Sequence, residues 1–246
     1  MSTSINKYAE HPYVTGSDRF GGGVVDLSMR FLDAAAAGSR VAGYEVAAGS
    51  LETGQCGLCV VYAIGDGAAI PKSVAKVMDA ASTSGFSRNL FEPVRELVRN
   101  ACSLVVDIGY AIKLPGITTT LTAKLAPYLP WGDAFVHFND LGSSAKTVYA
   151  KYEKGGDSAR IEALKREAFR LDQNQHKWEI AKHALLGATA LITAIGMALG
   201  VSLSAGLIFA VSITAFALAM FSHFAKQEHN DFLVENKTWY VKPEIK

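Results

Sequence analysis

Formal charge is missing from one long stretch of this sequence. Charged residues make up 19% of the 246 residues, yet no Asp, Glu, Lys or Arg lies between Lys182 and Lys226. Soluble domains carry about 25% charged residues, and the residues outside this stretch resemble such a domain. The stretch is therefore expected to be buried, either in a bilayer or inside a protein.

The sequence also has few cysteines and almost no excess of charge of one sign. Cys56, Cys59 and Cys102 are too few and odd in number for a disulfide framework, so reduced thiols are expected. A net charge of +1 without a basic stripe argues against a nucleic-acid partner. The polar residues 1–23 contain no apolar core, so we expect no cleavable secretory signal. If the protein reaches a membrane other than that of the cell that makes it, another export route must carry it.

The uncharged stretch predicts a transmembrane helical hairpin. One helix over 183–225 would be about 64 Å long, roughly twice the hydrocarbon thickness of a bilayer. The most turn-like residues, Val201 to Gly206, lie at its middle. The chain should therefore reverse there, giving two arms, Ala184–Leu203 and Ala205–Phe224.

The flanking charges predict the orientation of this hairpin. Lys177, Lys182 and Lys226 lie near its open end and the turn has no basic residue, so both termini are expected in the cytosol. The alternative is a buried hairpin inside a soluble bundle, but fewer than 200 other residues would have to cover two apolar helices on every side.

Small residues recur on one face of each arm and predict close helix packing in the membrane. These residues are Thr189, Thr193, Gly196 and Gly200 in the first arm, and Ser212, Ala215, Ala219 and Ser222 in the second. Gly196 and Gly200 form a GxxxG pair. The larger side chains would then face lipid.

Residues 24–155 predict a helical domain on the cytosolic side. We expect helices at Val24–Ala48 and at Ser73–Ala81, with a short buried run at Cys56–Ile64 between them. Phe135 to Tyr152 predicts a further helix that ends near residues 155–156.

The clearest helix of this domain follows Asn89, a suitable N-cap, and should end before Leu114. Its apolar face comprises Leu90, Val94, Leu97, Val98, Ala101, Val105 and Ile108. Asp107 and Lys113 interrupt the apolar run, and a charge at the centre of a membrane helix costs about 2.5 to 3.5 kcal/mol. We expect a helix packed in the core, the alternative being a loosely membrane-associated helix.

A charged amphipathic helix over Ser158–Lys182 leads into the hairpin. Its apolar residues recur every three or four positions, as in a coiled coil. The face comprises Ile161, Leu164, Ala168, Leu171 and Trp178. It predicts either a binding face for a partner or a helix packed on its own domain.

These elements predict an all-α protein with five segments. They are a flexible N-terminus 1–23, a helical domain 24–155, a charged amphipathic helix 156–182, a transmembrane hairpin 183–225 and a cytosolic tail 226–246.

No motif for chemistry survives inspection, so we expect neither an enzyme nor a cofactor or metal. Cys56 and Cys59 have CxxC spacing, but a second ligand pair is lacking, which favours two buried thiols. The stretch Gly67–Ser73 departs from a phosphate-binding loop at Pro71. His183 and His223 are expected near the open end of the hairpin.

The layout resembles the inclusion membrane proteins of chlamydiae. The residues that carry the resemblance are the two apolar lobes Ala184–Val201 and Leu207–Phe224, the small turn Ser202–Gly206, and the charged helix before them. The resemblance implies type III secretion, insertion into the vacuole (inclusion) membrane around the bacteria, and recruitment of an unknown host cytosolic protein. The compact domain 24–155 departs from the long coiled coils that would mimic membrane-fusion proteins.

Two further functions remain open on the sequence. A pore-forming translocator or a membrane-remodelling protein, such as the peroxisome-elongating family, would also carry an apolar hairpin and could form homo-oligomers. A membrane enzyme would need a catalytic cluster within residues 24–155.

Overall fold

Six α-helices make up most of the part of the chain that the structure describes. The computed structural model describes residues 24–84, 90–113, 124–152 and 158–236, and these contain no β-strand. The helices are α1 (Asp26–Val41), α2 (Glu45–Ser84), α3 (Phe91–Ala111), α4 (Leu129–Tyr149), α5 (Ala159–Leu199) and α6 (Ala205–Glu235). The predicted all-α class is confirmed for these residues.

The helices pack as a closed ring in which each contacts its neighbours in sequence and α6 returns to α1. The ring closes where the Phe31 and Phe216 rings meet edge to face with centroids 5.7 Å apart. A second contact lies at Gly38, where an added Cβ would be 3.0 Å from the Phe209 ring. Because residue numbers rise along α1 as they fall along α6, the two helices are antiparallel.

The start of the chain differs from the prediction of one helix over Val24–Ala48. α1 ends at Val41, and Gly43 adopts a left-handed conformation with φ +81° before α2 begins. Glycine tolerates this conformation without steric cost. The Arg40 side chain then reaches across the turn to Glu52, at 2.7 Å, and joins the two helices.

The two short elements predicted at 56–64 and 73–81 are one helix of 40 residues, α2, with Pro71 inside it. Proline removes one helical hydrogen bond and usually kinks or ends a helix. Here α2 packs on α1 and on α3, and this tertiary packing outweighs the local signal to stop. The separate-element prediction was wrong for this reason.

Glycines set the distance between α3 and α4. An added Cβ at Gly109 would lie 2.3 Å from Leu129, and one at Gly132 would lie 2.7 Å from Val106. Larger residues at either position would force the helices apart. α3 begins after Leu90, while its predicted cap Asn89 lies outside the described residues.

α5 is a single helix of 41 residues that begins after Ser158. The charged amphipathic helix and the first hairpin arm are therefore one continuous rod, about 61 Å long at 1.5 Å per residue. Because the rod is continuous, the orientation of its charged half, residues 159–182, is fixed relative to its apolar half, residues 183–199.

Candidate membrane hairpin and the charged core at its base

The turn between α5 and α6 is built by two glycines and a serine. Gly200 has φ +70°, and the N–H of Val201 donates to the carbonyl of Gly196 at 2.7 Å, as in a Schellman motif. The Ser204 hydroxyl then accepts from the N–H of Leu207 at 3.3 Å and caps α6. The chain thus reverses within residues 200–204, which overlap the predicted turn at 201–206.

The two arms on either side of this turn carry no formal charge and present large apolar side chains outward. We define the arms as Ala184–Leu199 of α5 and Ala205–Phe224 of α6, and their base as the end near Lys182 and Lys226. The exposed large apolar side chains are Ile192, Ile195, Met197, Leu199, Leu207, Ile208, Ile213, Phe221 and Phe224. An apolar surface of this extent is stable against lipid or another apolar surface and unfavourable in water.

The predicted small faces lie partly in the interior. Ala215, Ala219 and Ser222 are buried, and Ser212 is half-buried. In the first arm the structure buries Gly187, Ala190 and Ala194. Thr189 and Thr193 are half-buried, and their hydroxyls donate to carbonyls four residues earlier, at 2.8 and 2.9 Å. The buried face of this arm is therefore displaced from the predicted one.

Gly196 and Gly200 serve the turn instead of helix packing. An added Cβ at Gly196 would meet the carbonyl oxygen of Val201 at 2.7 Å, whereas one at Gly200 would meet nothing within 4 Å. Gly196 accepts the hydrogen bond of the Schellman motif, and Gly200 adopts its left-handed conformation. Their GxxxG spacing is the spacing of these two residues in the motif. Spacing alone does not separate this role from helix packing.

The predicted partner-binding face of α5 is occupied by the protein's own helices. Ala168 and Leu171 are buried, and Ile161 and Leu164 are half-buried. Trp178 stacks on Phe221 of α6 with centroids 4.8 Å apart. Of the two readings left open by the sequence, the structure supports a helix packed on its own domain.

A cluster of charged side chains lies inside the bundle at the base of the hairpin. This charged core comprises Asp26, Arg30 and Asp33 of α1, Asp133 and His137 of α4, and Glu179, Lys182 and His183 of α5. Lys182 Nζ lies 2.9 Å from Asp26 and 2.8 Å from Glu179. Arg30 lies 3.4 Å from Asp26 and 3.2 Å from Asp33. These contacts tie α1 to the start of the first arm.

Two histidines extend the charged core to α4. The Nδ1 atoms of His137 and His183 lie 3.1 Å apart, so one ring donates to the other. His183 Nε2 lies 3.1 Å from Glu179, and His137 Nε2 lies 3.6 Å from Asp133. Ser222 of α6 donates to Glu179. Helices α1, α4, α5 and α6 therefore meet in one polar network.

Burial controls the ionisation of the groups that α1 and α4 contribute. Burial raises the pKa of Asp133 to about 6, against the opposing charge of Arg30. It also lowers the pKa of His137 well below 6.5, and the positive charge of Arg30 lowers it further. For Asp26, burial alone would raise the pKa, but Lys182 and Arg30 outweigh it and hold the pKa below 3.8.

Sequence reading missed the charged core because its members are far apart in the chain. A local signal was present nonetheless. Asp26, Arg30 and Asp33 lie on one face of α1, and Asp133 and His137 are four residues apart in α4. Acids and bases at helical spacing within Ala-rich or aromatic sequence indicate an inward polar face.

α2 is a third apolar helix, which the sequence reading assigned to the cytosolic domain. By length and composition, Glu45–Thr83, Ala159–Leu199 and Ala205–Leu233 could each cross a membrane. Cys56 and Cys59 lie in α2 as free thiols. The stretch Gly67–Ser73 is also helical, so it cannot form a phosphate-binding loop.

A groove of about 370 Å³ lies between α3 and α4. Its charged groups are all paired: Arg99 lies 2.7 Å from Asp140, Arg95 lies 2.9 Å from Glu92, and Glu96 lies 2.7 Å from Lys76 outside the groove. Within the described ranges, no three His, Cys, Asp or Glu side chains are placed to hold a metal ion. The groove therefore has no charge left over to select a ligand.

No protein-family model, curated protein or solved structure matches this chain. The geometry of the hairpin and of the charged core is therefore the evidence for its function.

Proposed function

We propose that this chain is a membrane-anchored interaction protein whose hairpin crosses a bilayer and whose charged helices face the cytosol. The observation that carries the proposal is the pair of uncharged arms with exposed large apolar side chains. Each arm, at 16 to 20 residues, is about 24 to 30 Å long, close to the hydrocarbon thickness.

The charges at the base support an orientation with both termini in the cytosol. The arms are antiparallel, so both ends of the hairpin emerge on the same side. Lys182 and Lys226 lie at these ends, and no basic residue lies in the turn. This distribution satisfies the positive-inside rule.

The partner surface of this proposal is the outward face of the charged half of α5. Because the apolar face of this helix is packed internally, its exposed basic residues remain for contact. They are Arg160, Arg166, Arg170 and Lys177. We propose a host cytosolic protein with an acidic segment as the partner, in keeping with a type III secreted protein of the inclusion membrane.

The test uses single cysteines in a Cys-free background, expressed in cells and probed in isolated membranes. Ser158, Ser204 and Glu235 are all exposed and mark the helix start, the turn and the far end. The proposal requires Ser158→Cys and Glu235→Cys to react with an impermeant maleimide from the cytosolic side, and Ser204→Cys only from the opposite side. A soluble protein in which all three react would overturn it.

The charged core favours pore formation as a second candidate. Ionisable residues inside membrane helix bundles often mark paths for ions or protons, and here they lie within a closed ring of helices. Full-length protein in dye-loaded vesicles would release the dye if the ring, or an assembly of rings, conducts. Vesicles that stay sealed at high protein density would reject this candidate.

A further inference from the structure

The apolar face of α3 is exposed, whereas an ordinary soluble helix buries its apolar face. Its exposed apolar residues form one stripe at spacings of three and four. The stripe comprises Phe91, Val94, Val98, Ala101, Val105 and Ile108. Phe91 is 66% exposed and Val105 52%, although a soluble helix buries this kind of face.

Polar side chains in the middle of α3 point the other way, into the bundle. Asn100 is buried and donates to Ser73 of α2 at 2.9 Å. Arg99 donates to both carboxylate oxygens of Asp140 in α4, at 2.7 and 2.8 Å. From Val98 to Ile108, every exposed residue of α3 is apolar. The surroundings of this face must therefore be apolar.

The neighbouring face of α2 continues the same surface. Val60, Val61 and Ile64 are exposed on it. From residue 53 to residue 71, Asp66 is the only charged residue, and it points toward Arg99 at 3.8 Å. These 19 residues span about 28 Å, close to the hydrocarbon thickness.

Contacts place the second half of α3 beside the hairpin arms. Phe138 of α4 packs on Gly187 of the first arm, where an added Cβ would be 3.2 Å from its ring. α4 runs antiparallel to α5, so Leu129 lies further toward the turn than Phe138. Leu129 in turn packs on Gly109 of α3. The end of α3 is thus at the level of the arms.

We infer that the α2–α3 face contacts the acyl chains of the same bilayer, so that the membrane surface of the protein extends beyond the hairpin. Between α3 and the first arm, the exposed side chains of residues 129–138 of α4 are Trp131, Phe135 and Phe138. The apolar surface therefore continues from α3 to the arms, and acyl chains would cover both. The inference rests on the proposed membrane anchoring. It adds α3, which composition alone does not mark as a membrane helix.

The test places a nitroxide at single cysteines of the full chain in phosphatidylcholine vesicles. Val105 and Ile108 report on the stripe, Ile195 on the first arm, and Arg170 on the charged half of α5. The last two serve as matched lipid and water controls, because both are exposed. Relaxation by oxygen reports lipid, and relaxation by nickel-EDDA reports water.

The expected result is that labels at Val105 and Ile108 respond to oxygen as Ile195 does and are shielded from nickel-EDDA at least fivefold relative to Arg170. Nickel-EDDA access at Val105 and Ile108, with Ile195 still in lipid, would overturn the inference and leave the hairpin intact. Shielding from both reagents would mean that protein, such as a second copy, covers the face, which also overturns it. Water access at Ile195 would reject the membrane proposal itself.

Discussion

His137 and His183 face each other through their Nδ1 atoms at 3.1 Å, with Asp133 behind one ring and Glu179 behind the other. Only one of the facing nitrogens can carry the proton of this hydrogen bond. The pair therefore holds α4 against α5 when at least one ring is neutral. If both rings were doubly protonated, two N–H donors and two positive charges would face each other at this contact.

The pKa of His137 leads to a prediction for pH. Because this pKa is depressed in the folded protein, the unfolded chain takes up a proton below about pH 6.5 that the folded chain does not. Stability should fall between pH 7 and pH 5, by up to about 1.4 kcal/mol per pH unit. His137→Gln should flatten this decline in thermal unfolding in detergent. Equal slopes of stability against pH for the two proteins would contradict the assignment of this decline to His137. The difference in stability between them at pH 8 measures the change in packing alone.

Asp133 should act in the opposite direction. Its pKa is raised to about 6 from 3.8, so its carboxylate form disfavours the folded state above pH 6, and this cost disappears as the pH falls to 4. Asp133→Asn should therefore stabilise the protein at pH 8, by as much as about 3 kcal/mol. The gain should vanish at pH 4. The exposed Asp79→Asn provides the control, and a gain of the same size there would refute the argument.

Lys182 neutralises two buried carboxylates, and its loss should be costly. Lys182→Met leaves Asp26 and Glu179 without their shared cation, and removal of one partner of a buried ion pair costs about 3 to 5 kcal/mol. Lys177→Met, an exposed lysine on the same helix, should change stability by less than about 0.5 kcal/mol. Unfolding by sodium dodecyl sulfate in mixed micelles would compare the two. Similar losses would show that the core is not held by Lys182.

The turn glycines provide a third kind of test. Gly200→Ala forces alanine into the left-handed region, which costs about 1 to 2 kcal/mol, and Gly196→Ile adds a clash with the Val201 carbonyl. Both should lower the thermal midpoint and the fraction inserted into membranes. Gly206→Ala, where an added Cβ meets nothing within 4 Å, should be neutral or slightly stabilising. If Gly196→Ile inserted into membranes to the same extent as the wild type, the turn motif would not be needed for insertion, and the prediction would be wrong.

Part of this fold was predictable from sequence and part was not, for a physical reason. The reversal near residues 200–204 follows from chain length, hydropathy and turn chemistry, which are local quantities. Periodicity also grouped Val98, Val105 and Ile108 on one face of α3. It could not say whether that face points inward or outward, because this depends on whether the solvent is water or lipid.

The pairing of distant residues in the charged core was beyond local reasoning. Lys182 meets Asp26 across 156 positions of sequence, and neither residue alone indicates the other. The same holds for the partner-face prediction. An a/d pattern on α5 specifies an apolar face, while the ring of helices decides that Leu171 packs within the same chain.

Ring closure also determines the order in which the chain can acquire its structure. α1 is synthesised before α5 and α6, which carry its partners Lys182 and Phe216. Contacts over such sequence separations form slowly, since the entropy of closing the intervening chain opposes them. Native packing of α1 must therefore wait until α5 and the first half of α6 have been made.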